Sequence, residues 1–201
     1  MTTSQLRSSL IEHARTLIAR EGAAALTMRA LAAEAGCAVG LPYKVFADRH
    51  EIVAAIVHAE LVRLRAACEE LLERAGSGTI GGNLTWFAGM FLDSPAVALS
   101  QELLQDDALR QRVSASAHDT GLGPAQFPTV LSRYLAAEKH AGRVAPDVDE
   151  GAFGFLIASA LHNLLVAGEA WPRPTRDELE QILTACAAAI AVAHRPNRRS
   201  R

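Results

Sequence analysis

Apolar residues return at three- and four-residue steps near the start of the chain: Leu6, Leu10, Ile11, Ala14, Leu17 and Ile18. That period puts one apolar stripe on a helix from about residue 4 to 21. Gly22 is the expected stop, because glycine takes a left-handed cap without a Cβ clash. Thr27 has the chemistry of an N-cap. It opens a short helix with Leu31, Ala32 and Ala35 inward and Gly36 at its end. A second short helix is expected over residues 39–46. Asp48 and Glu51 are spaced as a capping box. The long helix they open carries Ile52, Ile56, Ala59, Leu64, Leu71 and Leu72 and ends near Ala75.

Residues 76–82 hold four glycines and read as the most flexible stretch, loosening the start of the helix that follows. Further helices are expected at residues 83–92, 95–101, 102–118, 124–141, 149–170 and 177–194. No run alternates with a strand period, and no repeat recurs. The predicted class is all-α, with a three-helix head at residues 1–50 and a helical body at 51–201. Composition agrees: half the residues are hydrophobic and only 5% aromatic, which favours helix over sheet. A chain of 201 residues buries a core without disulfide staples. Cys37, Cys68 and Cys186 are too scattered for a disulfide framework or a zinc site. The first ten residues lack a signal-peptide core, and the longest apolar runs are short or broken by His162 and Asn163. No membrane partner and a cytoplasmic location are expected.

The net charge of −2 conceals a gradient. Residues 1–50 carry a small positive excess, residues 51–194 a negative one, and residues 195–201 add four arginines. A mildly basic front on an acidic body suggests two parts with different partners.

Residues 27–46 are laid out as helix, tight turn at Gly36, and helix. In a helix-turn-helix the first helix braces and the second enters the major groove, where base edges are distinguishable. Val39 and Gly40 are small enough for the backbone to approach bases. Tyr43 and Lys44 reach phosphate or base edges, while Val45 and Phe46 face the core. A helical hairpin that never meets DNA has the same spacing. The longer string is more specific. Thr27 opens the first helix and Ala35-Gly36 closes it. Tyr43 and Phe46 stand three apart, and Arg49, Glu51 and Ile52 follow the turn. This segment resembles the DNA-binding part of TetR-type transcriptional regulators, over roughly the first 55–60 residues. Beyond it the likeness is one of length and helical habit. Three positions depart from the family pattern: Ala38 replaces a common serine, Pro42 a branched aliphatic residue, and Arg49 a lysine. Pro42 lacks an N–H and is tolerated only in a first turn, so the reading helix should start late or sit bent.

The resemblance implies roles for individual residues. Thr27 and Tyr43 would hold phosphates through their hydroxyls. Arg49 would clamp a phosphate at the start of the long helix. Val39, Gly40, Leu41 and Lys44 would face the groove, with Lys44 bonding a guanine and Val39 and Leu41 touching thymine methyls. Arg29 would touch the DNA backbone or be a solvated arginine. The partners implied are a double-stranded, palindromic operator, a second copy of the chain, and a small apolar effector that releases a repressor from DNA at the nucleoid. For the dimer, the apolar helices at 149–170 and 177–194 are the candidates. For the effector, the candidates are Trp86, Met90, Phe91, Tyr134, Phe155, His162 and Asn163, with Glu102 and His118 weaker. No metal-ligand spacing and no cofactor fingerprint occurs, and no enzyme motif such as a nucleophile elbow or P-loop. The alternatives are a helical ligand-binding or adaptor protein without DNA binding, or a helical enzyme using Glu102, Asp106 and His118.

Overall fold

Helix caps written into the sequence set most of the element boundaries. The computed structural model describes residues 2–120, 126–166, 172 and 174–192. Helix α1 (Thr3–Glu21) opens on a capping box in which Thr2 Oγ1 accepts from Gln5 N and Thr2 N donates to Gln5 Oε1. It ends at Gly22, with φ of 82°. Helix α2 (Met28–Glu34) opens on Thr27, whose hydroxyl oxygen accepts from Ala30 N at 3.1 Å. Past Glu34, Gly36 N donates to Ala33 O and Cys37 N to Ala32 O. With Gly36 at φ 61°, this is a Schellman cap. Helix α3 is Arg49–Glu73, α4 Ile80–Leu92, α5 Pro95–Gln105, α6 Asp107–Thr120, α7 Gln126–His140, α8 Glu150–Val166 and α9 Arg176–Ile190. Among the described residues the only strand-like pairing is an isolated antiparallel bridge between Val144 and Ala191. The all-α class holds.

The chain divides into two compact units: residues 1–66, 91–123 and 164–171 form one, and 67–90, 124–163 and 172–201 the other. The first is built on one apolar cluster. Leu10, Ala14, Leu17 and Ile18 of α1 meet Leu26, Met28, Leu31, Phe46, Ile52, Val53 and Ile56, and Leu99 and Leu109 join from α5 and α6. Full burial of a side chain such as Phe46 contributes about 1.5–3 kcal/mol. Ser94 and Pro95 start α5, Ser94 Oγ accepting from Ala96 N. The break after α5 differs from the sequence reading, which placed it between Gln101 and Glu102. It falls at Asp106, whose carboxylate accepts from Leu109 N and caps α6; Glu102 stays inside α5.

In the second unit, Phe127, Leu131, Tyr134, Leu135 and Glu138 form the buried face of α7. A Cβ on Gly154 of α8 would stand 2.6 Å from Ser132 N, so glycine permits the close approach of α8 to α7. Helix α9 opens on a Thr175–Glu178 capping box and stops at Ile190 rather than 194. The backbone there leaves the helix to pair with residues 143–145: Ala145 N donates to Ile190 O and Val192 N to Arg143 O.

The glycine-rich stretch is not loosely held. Gly76 N donates to Glu138 Oε2, Arg143 donates to Gly78 O, and Asn83 donates to Ser77 O and to the Tyr134 hydroxyl. Glu138 is fully buried, with Arg143 Nε 3.1 Å from its carboxylate. Its Oε1 has no partner among the described atoms. Burial, with Glu138 beside it, pushes the Tyr134 phenol well above its ordinary range.

Candidate nucleic-acid interface

After Gly36 the chain forms far less helix than the spacing predicts. Over residues 39–46 the regular structure is a single 3-10 turn, Pro42–Lys44. Leu41 N donates to Ala38 O, Lys44 N to Leu41 O, and Val45 N and Phe46 N both to Pro42 O. Each departure from helix has a local cause. Ala38 offers no capping oxygen, Gly40 has low helix propensity, and Pro42 supplies no N–H for a bond to Ala38. Pro42 therefore sits where proline fits, at the first position of the turn.

The turn sorts its side chains cleanly. Phe46 and Pro42 are buried, and Leu41 and Val45 half-buried. Val39 is 48% exposed and Tyr43 58%, large hydrophobic side chains left open to solvent. Gly40 and Lys44 are exposed beside them, and so are Thr27 and Arg29 on α2. A Cβ on Gly40 would meet nothing within 4 Å, so the fold does not require glycine there. Thr27 uses its oxygen as the α2 cap, which leaves its O–H able to donate outward.

Two arginines hold this surface from behind. Arg7 of α1 donates to Val45 O at 2.8 Å and to Glu51 Oε1 at 2.9 Å, with its guanidinium 4.4 Å from the centre of the Phe46 ring. Arg49 is placed differently from the exposed residues. Its Nε donates to Leu26 O at 2.7 Å, its Nη2 to Ala23 O at 3.0 Å and to Glu102 Oε2 at 2.9 Å, and its Nη1 to Glu102 Oε1. Around the start of α3, Asp48 accepts from Glu51 N at 2.7 Å, while Glu51 Oε2 accepts from Ala47 N, one residue before the cap. These backbone bonds first, then Arg112 and His50 near Asp48 and Arg7 bonded to Glu51, hold both carboxyls below their ordinary range. His50 of α3 faces Asp106, the cap of α6, and Arg112 of α6 faces Asp48, the cap of α3.

Residues 10–56 match the family model described as bacterial regulatory proteins, tetR family. The match spans most of α1, all of α2, the turn at residues 42–44 and the start of α3. No curated protein matches the chain in sequence. Solved structures of the family share its fold across nearly the whole length. A TetR-family transcriptional regulator from Agrobacterium tumefaciens is 15% identical with a TM-score of 0.67, over 95% of this chain and 100% of that one. The ketosteroid transcriptional regulator KstR2 of Mycobacterium tuberculosis is 20% identical with a TM-score of 0.57, over 92% and 95%. A TetR transcriptional regulator from Streptomyces coelicolor is 21% identical with a TM-score of 0.58, over 93% and 99%.

Three of the residues expected to bind an effector share one groove. Phe155, His162 and Asn163 line a groove of about 220 Å³ between α7 and α8 with Phe127, Pro128, Ala158 and Ser159. Tyr134 is fully buried and bonded to Asn83, and Phe91 is buried in the first unit. Trp86 and Met90 are half-buried, Trp86 with the Arg74 guanidinium 4.0 Å from its ring centre. The His118 side chain lies outside the described residues. No cluster of three metal-ligating side chains occurs among the described residues, and no described helix is long and apolar enough to cross a membrane.

Sequence reasoning missed Arg7 and the pairing of Arg49 with Glu102. Their partners lie 38 to 53 residues away along the chain, beyond any local pattern. A basic residue facing the apolar stripe of α1 was the one available signal for Arg7.

Proposed function

We propose that the chain is a transcriptional repressor that occupies a palindromic operator as a homodimer in the cytoplasm and leaves it when a small apolar ligand binds. The observation that carries this reading is the exposed set Thr27, Arg29, Val39, Gly40, Tyr43 and Lys44 on a segment that matches the tetR family. Thr27 and Tyr43 hold phosphates through hydroxyls and Arg29 adds a backbone contact, while Lys44 bonds a guanine in the major groove. Val39 and the half-buried Leu41 offer apolar contact to thymine methyls, and bare Gly40 lets the backbone approach. Exposed Phe155, Leu156 and Ile182 on α8 and α9 support a second copy as the cover for those helices. KstR2 is described as a ketosteroid regulator; an apolar effector for this chain fits the groove holding Phe155, His162 and Asn163. Its volume is below the roughly 300–1,000 Å³ of drug-sized sites, which points to a small ligand or one end of a larger one.

The test begins with duplex selected by the protein from a randomised library. Affinity should fall steeply as salt rises, because bound phosphates release counterions. Light scattering should give a dimer at micromolar concentration. Salt-independent or absent duplex binding, or a persistent monomer, contradicts the reading.

A further inference from the structure

Arg49 stands where the family pattern has a phosphate-gripping lysine, yet its guanidinium is already occupied. Four hydrogen bonds use Nε, Nη1 and Nη2 on two backbone carbonyls and both oxygens of one carboxylate. A guanidinium has five N–H donors, so little remains for a phosphate. The carboxylate also cancels its charge, and a neutralised pair displaces no counterion when DNA arrives. The carbonyls are those of Ala23 and Leu26, in the segment that leads from Gly22 to the Thr27 cap. Glu102 sits on a firm platform: Leu99 and Leu109, on either side of it in the chain, are both fully buried in the core of the same unit.

We propose that Arg49 and Glu102 act together as a positioning pair that fixes the approach to α2, and with it the Thr27 hydroxyl, while Arg49 holds no phosphate itself. The assignment rests on the DNA-binding reading above. It explains why arginine replaces lysine. A planar fork spans a carboxylate and two carbonyls at once; an ammonium, a point charge with three donors, does not. A phosphate grip would be served by either.

The experiment measures affinity for the duplex selected by the wild-type protein, over a range of salt. Arg49→Lys and Glu102→Gln should each lose about tenfold, the scale of a charge-assisted hydrogen bond. The double variant Arg49→Gln with Glu102→Gln removes the pair without leaving a lone charge. Its plot of log affinity against log salt should keep the wild-type slope. A slope shallower by about 0.9, the value of one phosphate contact, overturns the proposal. So does wild-type affinity in Arg49→Lys, or unchanged or tighter binding in Glu102→Gln. If Arg49→Lys loses its helical circular dichroism, Glu102→Gln and the double variant carry the test. Wild-type protein that binds no duplex overturns the DNA reading, and the assignment with it.

Discussion

The turn at residues 38–46 and the turn at 76–82 are both short connections rich in helix breakers, and they are held in different ways. The first is held at its edges. Phe46 and Pro42 anchor it in the core, Arg7 grips Val45 O, and Val39, Gly40, Tyr43 and Lys44 stay exposed. The second is held from beneath by the fully buried Glu138, with Arg143, Asn83 and Tyr134 around it. The outer face of the first turn is therefore open to a large ligand such as a duplex. The second spends its polar groups on its own fold. Glycine content alone does not separate the two cases; what matters is whether distant side chains satisfy the backbone.

The largest effect should come from removing the buried anchor. Glu138→Ala leaves Gly76 N without its partner and Arg143 with only Gly78 O. Breaking a buried pair costs about 3–5 kcal/mol. Urea unfolding should show a loss near the lower end, because Arg143 is partly exposed. A change below about 1 kcal/mol would mean the glycine turn does not depend on that carboxylate.

The two turns should also differ in pH response. Asp48 and Glu51 beside the first turn have lowered folded pKa values. Their contribution is present above the unfolded carboxylate range and is lost as pH falls through the folded values. Tyr134 beneath the glycine turn has a raised value. Its contribution is full below about pH 10, the unfolded phenol value, and is lost as pH rises beyond it. Cys68, which burial pushes up to about 11, adds to the alkaline loss. Asp48→Asn should flatten the acid side of the stability curve and Tyr134→Phe the alkaline side, measured as urea midpoints across pH. The opposite pairing would break the comparison.

Gly40→Ala should move stability least, within about 0.5 kcal/mol, because its Cβ would stand in open space. Duplex affinity should nevertheless fall by about tenfold or more if the backbone packs against bases, since the added methyl then has no room. Equal losses in thermal stability and in affinity would mean that this glycine serves the fold.

The parts of the fold that the sequence made legible were those decided locally. Gly22, Thr27 and Gly36 terminate or open helices as their chemistry demands, and Asp48 caps α3. The outward placement of Val39, Tyr43 and Lys44 and the inward placement of Phe46 were legible from side-chain type. The helix over 39–46 was overestimated, although Pro42 carried the warning. Glu138 was invisible because an acid in an amphipathic helix ordinarily faces solvent, and only α7 packing buries it. The burial of Tyr134 and Phe91 was hidden for a related reason: aromatic composition alone does not fix how deeply a side chain sits.

The central claim is that the open face of the first turn reads DNA, and competition binding on a randomised operator library tests it most directly. Lys44→Ala should relax preference at one base pair per half-site, by about 1–3 kcal/mol if it bonds guanine. Tyr43→Phe should weaken all sequences alike, because a phosphate contact carries no sequence information. Unchanged base preference in Lys44→Ala, or a specificity change in Tyr43→Phe, would contradict the account.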